Sequence, residues 1–245
     1  MTTLIGIVTN SGRRGVVLGA DRQVNYVDEN DNLKSKCPGA KITVGSKYAM
    51  AAAGVYYDEV TAFMKLHKSY DERNEKKRVE MLRRAVRAKV PYMPQINDLN
   101  RGLMRNDGVD VDDLPTFLLA LNDPMPKLWS IDEFGNLRVA PDDKKFEYIT
   151  RGSGDEMASK YIDEKVKHEY VDPQKITLCT AIDIAFKTLM YVGSREAFTG
   201  STPHIVVITK SGVDDYYKEI ARSRKRADKQ CLDGIKSHYE KNMKK

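Results

Sequence analysis

The spacing of hydrophobic residues alternates along the chain between the pattern of strands and that of helices. Short apolar runs occupy 2–8 and 16–20, and the turn-forming residues between them predict a β-hairpin. A second short hairpin is predicted over 41–44 and 48–53. The stretch 24–39 is polar and ends in Pro-Gly, which favours an irregular excursion between the two hairpins.

From residue 57 apolar residues recur at every third or fourth position, which is the spacing of a helix. We predict helices over 57–74, 76–89 and 96–104. Shorter runs then predict four strands, at 116–121, 127–132, 136–139 and 146–150.

A second helical region follows, predicted over 155–166 and 174–194, with Pro173 suited to the first turn of the later helix. The last strand is predicted at 202–209, with a hairpin through Ser211 and Gly212. Residues 216–245 predict a basic helical tail.

This order of elements predicts an α/β (α+β) fold with four layers. Two mainly antiparallel sheets packed face to face, with helix pairs on both outer faces, would bury every apolar stripe. A Rossmann fold is disfavoured because the strands come in hairpins and no GxGxxG motif is present. We expect one domain over 1–215, followed by the tail at 216–245.

Composition narrows the function classes. The net charge is +6, with much of the excess basic charge in the tail, and no nucleic-acid reader motif accompanies it. The 3 cysteines and 4 histidines lack metal-ligand spacing, so we expect no metal, no cofactor and no disulfide framework. Cys37 is interpreted as a spectator. With no membrane span and no secretory signal, we expect a cytoplasmic protein.

The start Met1-Thr2-Thr3 contains candidate chemistry. A small residue after the initiator allows Met1 to be removed, which would give Thr2 a free α-amine beside its hydroxyl. An α-amine has a pKa of about 7.7–8.0 and can act as a general base near neutral pH. Nucleophile and base would then share one residue, although a Met-Thr-Thr start alone carries no functional information.

The first hairpin adds the missing context. The run Thr2-Thr3-Leu4-Ile5-Gly6-Ile7 and the run Gly15-Val16-Val17-Leu18-Gly19-Ala20-Asp21 together resemble the opening of proteasome β subunits and of the bacterial peptidase HslV. That resemblance implies the N-terminal nucleophile (Ntn) hydrolase fold, with Thr2 as the nucleophile. It extends over about residues 2–215.

The resemblance also implies a partner for the nucleophile. Gly39-Ala40-Lys41-Ile42 matches the place of the catalytic lysine in the family, and Asp21 would hold Lys41 in position. The Lys41 ammonium would lower the pKa of the Thr2 amine and favour ionisation of the hydroxyl. Lys36 is the alternative lysine.

Two further motifs resemble the family. Ala51-Ala52-Ala53-Gly54 matches an Ala-rich strand in which the glycine N–H, here that of Gly54, forms the oxyanion hole. Substrate-binding roles are implied for Asn25, Ala52 and Tyr56, and Ala52 would leave a roomy pocket.

The last motifs lie in the second half of the chain. Gly152-Ser153-Gly154 resembles a family motif whose serine binds near the N-terminal amine. The run Arg195-Glu196-Ala197-Phe198-Thr199-Gly200 resembles Arg-Asp-x-x-Ser-Gly, with Glu196 and Thr199 replacing Asp and Ser. The hydrogen-bonding types are kept, but the extra methylene of Glu196 changes its reach.

The resemblance implies a threonine peptidase that acts on peptides or unfolded proteins. It also implies a homo-oligomeric ring, or an assembly with α-type subunits or an ATP-dependent unfoldase. Two alternatives use the same features: a transpeptidase or ligase using Thr2, and a non-catalytic ring subunit. An α-type subunit is disfavoured because no helical extension precedes the first strand.

Overall fold

The computed structural model describes about half of the chain, in separate segments. They are residues 2–11, 14–27, 33–53, 116–122, 125–132, 136–141, 146–169, 176–196, 199–200 and 202–216. For 24–27, 33–38 and Leu137 only the backbone is described. The helices predicted over 57–104 and nearly all of the tail lie outside these segments.

The described segments form twelve strands and two helices. The strands are β1 Thr3–Thr9, β2 Gly15–Asp21, β3 Gln23–Val27, β4 Leu33–Pro38, β5 Ile42–Val44, β6 Tyr48–Ala53, β7 Thr116–Asn122, β8 Pro126–Ile131, β9 Leu137–Val139, β10 Phe146–Gly152, β11 Pro203–Thr209 and β12 Gly212–Asp215. The helices are α1 Asp155–Glu169 and α2 Leu178–Gly193.

The strands form two five-stranded sheets and a two-stranded ribbon. The first sheet has the order β10-β1-β2-β11-β12 and the second has the order β5-β6-β7-β8-β9. Among the described strands, β3 and β4 pair with each other and with no third strand. All neighbours are antiparallel, as expected for a chain built from hairpins.

The core lies in layers that follow the two faces of β1. Leu4 and Val8 belong to the cluster between the sheets, together with residues of the second sheet such as Leu118. Ile5 and Ile7 face the other way and pack in the cluster that contains α2. Burial on both faces explains why β1 is an unbroken apolar run rather than an alternating one.

The predicted αββα fold class is confirmed for the two facing sheets and the helix layer over the first sheet. The outer face of the second sheet carries a third cluster, which includes Met50, Phe117 and Leu119. Every strand predicted in the described segments is present, with ends that differ by no more than two residues.

Two predicted elements need correction. Residues 24–39 are not an irregular excursion, because most of them form the β3–β4 ribbon. Val24 and Tyr26 alternate with polar neighbours, which is the period of a strand. The second helix begins at Leu178 rather than near 174, since the Thr177 side chain accepts the Thr180 N–H and caps it there.

Neither α1 nor α2 meets the length and apolarity that a helix crossing a membrane requires.

Candidate active site

Thr2, Asp21 and Lys41 meet at one end of the sandwich. Thr2 precedes β1 and Asp21 ends β2, and the pairing of Leu4 with Ala20 brings these strand ends side by side. The Lys41 Nζ lies 2.6 Å from Thr2 Oγ1 and 2.8 Å from Asp21 Oδ2. Lys41 is therefore the lysine that links the hydroxyl to the carboxylate.

The Asp21 carboxylate is held by backbone donors as well as by Lys41. Oδ1 accepts the N–H of Thr3 at 2.9 Å, and Oδ2 accepts those of Gln23 at 2.9 Å and Gly200 at 3.1 Å. Asp21 is 0% exposed, so these bonds replace the water it loses on burial. The carboxylate is fixed on several sides, and it fixes the ammonium in turn.

Burial sets the electrostatics of Lys41. Its side chain is only 4% exposed, and this loss of solvent lowers the pKa of Lys41 below that of an ordinary lysine. The nearby Asp21 charge acts in the opposite direction and keeps the reduction smaller. Thr2 is 5% exposed, so the ammonium meets the hydroxyl in a largely dry environment where electrostatic interactions are strong.

A second cluster centres on Glu196. Its Oε2 accepts the Thr199 hydroxyl at 2.8 Å and the Ser153 hydroxyl at 3.2 Å. The Thr199 Oγ1 also lies 3.1 Å from Thr3 Oγ1. The longer acid and the branched hydroxyl residue therefore remain connected to each other, to Ser153 and to the residue after Thr2.

The turn that carries Ser153 depends on Gly152. Gly152 pairs with Thr3 at the end of the β1–β10 ladder and has a φ of +91°. A Cβ at this position would overlap the Thr2 carbonyl oxygen. Only glycine meets both requirements, since other residues rarely adopt this backbone conformation and all of them carry a Cβ.

The structure describes the remaining predicted site residues only in part. Ala52 lies in β6 and is 7% exposed. Asn25 lies in β3 opposite Lys36, the alternative lysine, and neither side chain is described. Gly54 and Tyr56 lie outside the described residues. Their predicted roles in the oxyanion hole and in substrate binding stay predictions.

Thr3 and the backbone donors of Gln23 and Gly200 were not predicted from the sequence as parts of the site. Backbone N–H groups leave no sequence signal, because every residue except proline has one. Thr3 did offer a signal. It is a hydroxyl residue at the start of a strand that is otherwise almost wholly apolar, and such a group needs a partner when it is buried.

The chain is similar to known proteins in both sequence and structure, although no protein-family model matches it. It is 30% identical over 221 residues to proteasome subunit beta 1 of Thermococcus sibiricus, covering 89% of this chain and 91% of that protein. It is 25% identical over 222 residues to proteasome subunit beta 1 of Thermococcus kodakarensis, covering 91% and 95% of the two chains.

Among solved structures, eukaryotic HslV from Trypanosoma brucei matches with a TM-score of 0.52 and 18% identity, over 85% of this chain and 99% of that chain. This likeness supports the fold, while the sequence relatives establish the family. By its 30% identity to a β subunit over nearly its whole length, the chain belongs to the proteasome β-subunit family.

Proposed function

We propose that this chain is a threonine peptidase whose nucleophile is the Thr2 hydroxyl, made available when Met1 is removed. One observation carries the proposal: the Lys41 ammonium donates to Thr2 Oγ1 at 2.6 Å while it is paired with the buried Asp21. A buried ion pair in contact with a hydroxyl is costly to maintain, and it is of direct use for making that hydroxyl nucleophilic.

In the first step the Thr2 α-amine takes the hydroxyl proton as Oγ1 bonds to the substrate carbonyl carbon. The Lys41 ammonium stabilises the negative charge that develops on Oγ1. The Gly54 N–H is the proposed donor to the carbonyl oxygen as it becomes an oxyanion. The carbon–nitrogen bond then breaks, and the protonated amine of Thr2 gives its proton to the leaving nitrogen.

The second step releases the acyl group from Thr2. Water gives a proton to the α-amine and its hydroxide adds to the ester carbon. The bond between that carbon and Oγ1 breaks, and Oγ1 recovers its proton. If an amine attacked in place of water, the same ester would yield a new peptide bond, which is the transpeptidase or ligase alternative.

The Glu196 cluster supports a catalytic subunit over a non-catalytic one. The substitutions of Asp by Glu and of Ser by Thr are the main departures from the family motif. Since Glu196 Oε2 accepts both the Ser153 and the Thr199 hydroxyls, the hydrogen-bonding network of that motif is retained with different side chains. A subunit that only built a ring would need no such network.

We further propose that the chain works in a ring that admits peptides or unfolded proteins. The ring is either homo-oligomeric or joined to α-type subunits or an ATP-dependent unfoldase. Native mass spectrometry of the purified chain tests this part independently. A monomer at all protein concentrations would contradict the homo-oligomeric ring and leave the assembly with other subunits. The chemistry at Thr2 is tested separately.

The catalytic proposal is tested with a peptide epoxyketone, which joins both the hydroxyl and the free amine of an N-terminal threonine. The expected result is loss of Met1 in the intact mass and one adduct mapped to Thr2. Thr2→Ala should form no adduct, and Thr2→Ser should form it more slowly. A retained Met1, or wild-type protein without an adduct, would overturn the proposal.

A further inference from the structure

Thr3 joins the two halves of the site. Its backbone N–H donates to Asp21 Oδ1 at 2.9 Å, and its side-chain Oγ1 lies 3.1 Å from Thr199 Oγ1. The residue is fully buried, so it cannot contact a substrate that enters from solvent. It is linked to the Asp21–Lys41 pair through its backbone and to the Glu196 cluster through its side chain.

The direction of the Thr3–Thr199 bond follows from the number of available protons. The single hydroxyl proton of Thr199 is donated to Glu196 Oε2 at 2.8 Å, because a carboxylate can only accept. The Thr3 hydroxyl must then be the donor to Thr199. A directed chain therefore runs from Thr3 through Thr199 to Glu196, which also receives the proton of Ser153.

The Thr3 hydroxyl lies close to the backbone of Gly154. A Cβ at Gly154 would overlap Thr3 Oγ1, and it would also lie 2.7 Å from Val192 Cγ1 of α2. The Thr3 hydroxyl thus occupies the space that a side chain at residue 154 would need. Glycine at residue 154 therefore makes room for the Thr3 hydroxyl.

We propose that Thr3 is a positioning residue, whose hydroxyl fixes the placement of the Thr2 nucleophile by tying it to the Glu196 cluster. The inference rests on the proposed function. Thr2 is the neighbouring residue, so a shift of the Thr3 backbone would move Thr2 Oγ1 relative to the Lys41 ammonium, which is 2.6 Å away. Misplacement of a reacting group by about 1 Å can reduce a rate roughly 100-fold.

The experiment compares Thr3→Val, Thr3→Ser and Thr9→Val in the full chain. Valine keeps the branched shape without the hydroxyl, and serine keeps the hydroxyl. Thr9 is the matched control because it lies at the far end of the same strand, is buried, and donates its hydroxyl to the Ile176 carbonyl at 2.6 Å. Peptide cleavage gives kcat and KM, and the epoxyketone gives the rate of modification.

The expected result for Thr3→Val is a kcat and a modification rate reduced roughly 10- to 100-fold. KM should stay within about twofold, since the residue is out of reach of the substrate. Thr3→Ser should restore most of the rate, and Thr9→Val should match the wild type. Thr3→Ala, which also lacks the hydroxyl but inserts no extra methyl group, should repeat the loss if Thr3→Val folds poorly.

Unchanged kcat in Thr3→Val and Thr3→Ala would overturn the inference, and so would an equal loss in Thr9→Val or no rescue by serine. In these cases the wild-type adduct at Thr2 would still stand. A wild-type protein that forms no adduct would instead overturn the proposed function, and this inference with it.

Discussion

The carbonyl oxygen of Thr2 lies against the α-carbon of Gly152 so closely that any side chain at residue 152 would overlap it. Gly152 also has a φ of +91°, and it directly precedes Ser153. The same glycine therefore sets both the backbone position of Thr2 and the turn that carries Ser153, a member of the Glu196 cluster.

Gly152→Ala should destabilise the protein and abolish labelling of Thr2. The matched control is Gly212→Ala, because Gly212 has a φ of +142° but nothing within 4 Å of the added Cβ. In the control, backbone strain alone should lower the free energy of unfolding, by about 1–3 kcal/mol, and the activity should be kept. Denaturant unfolding and epoxyketone labelling measure both effects. If both variants lost the same stability and Gly152→Ala were still labelled at Thr2, the close contact between Gly152 and the Thr2 carbonyl would not have the importance given to it.

Lys41 should give the activity an alkaline limit. Burial lowers the pKa of Lys41, so the ammonium loses its proton at a lower pH than a solvated lysine would. The Thr2 hydroxyl then loses its charged neighbour, and kcat should fall as the pH rises through that lowered pKa. The decline should thus begin below the ~10.4 of a free lysine.

Lys41→Arg tests the assignment of that limit. An arginine stays protonated throughout the range but cannot reproduce the contact of a compact ammonium. Its residual activity should be low and should lack the alkaline decline. The pH dependence of kcat in the two proteins provides the comparison, and an identical decline in both would assign the limit to another group.

Asp21→Asn should strongly destabilise the fold. It leaves the buried Lys41 ammonium without a counter-charge and turns amide protons toward backbone donors, which should cost about 3–5 kcal/mol. The matched control is Asp183→Asn, which breaks a partly exposed pair with Lys187 and should cost under about 1 kcal/mol. Equilibrium unfolding compares the two variants, and similar losses would show that the buried pair contributes no more than a surface one.

The Asp21→Asn variant should also shift the alkaline limit. Because the Asp21 charge raises the pKa of Lys41, its removal should move the decline in kcat to lower pH. A decline that stays in place, or moves to higher pH, would argue against Lys41 as the titrating group.

Glu196→Asp should lower the activity, although aspartate is the residue of the family motif. The shorter side chain draws the carboxylate back by about 1.5 Å, one carbon–carbon bond, while both hydroxyls stay in place. Losing one hydrogen bond to a charged group costs about 1.5–3 kcal/mol, so kcat should fall roughly tenfold or more. Glu169→Asp, at the partly exposed end of α1, is the control and should have no effect. Full activity in Glu196→Asp would mean that the cluster tolerates either acid.

The sequence was sufficient to predict those residues of the candidate site that lie at the ends of strands. Thr2, Asp21 and Lys41 each flank or end a short apolar run, and the resemblance of these runs to the family motifs identified the three residues that the structure brings together. Thr3 was missed because its role depends on Thr199, a residue far along the chain. A contact between residues so far apart in the sequence leaves no local sequence pattern.

The β3–β4 ribbon is the part of the described fold that was not predicted from the sequence. Alternation of polar and apolar residues is limited to Val24 and Tyr26 in β3 and does not continue through β4, so the pattern is too short to predict two strands. The start of α2 was misplaced for a different reason. Pro173 is a good first residue of a helix, but Thr177 lies nearer the apolar run and provides the cap.

The ribbon also separates the two ion-pair partners in the sequence while keeping them together in space. At its base the Gly39 N–H donates to the Arg22 carbonyl at 2.7 Å, next to Asp21 on one side and close to Lys41 on the other. Residues added or removed in pairs between β3 and β4 would leave this closure unchanged. The contact between Asp21 and Lys41 therefore depends on the closed base of the ribbon and not on the length of chain that the ribbon contains.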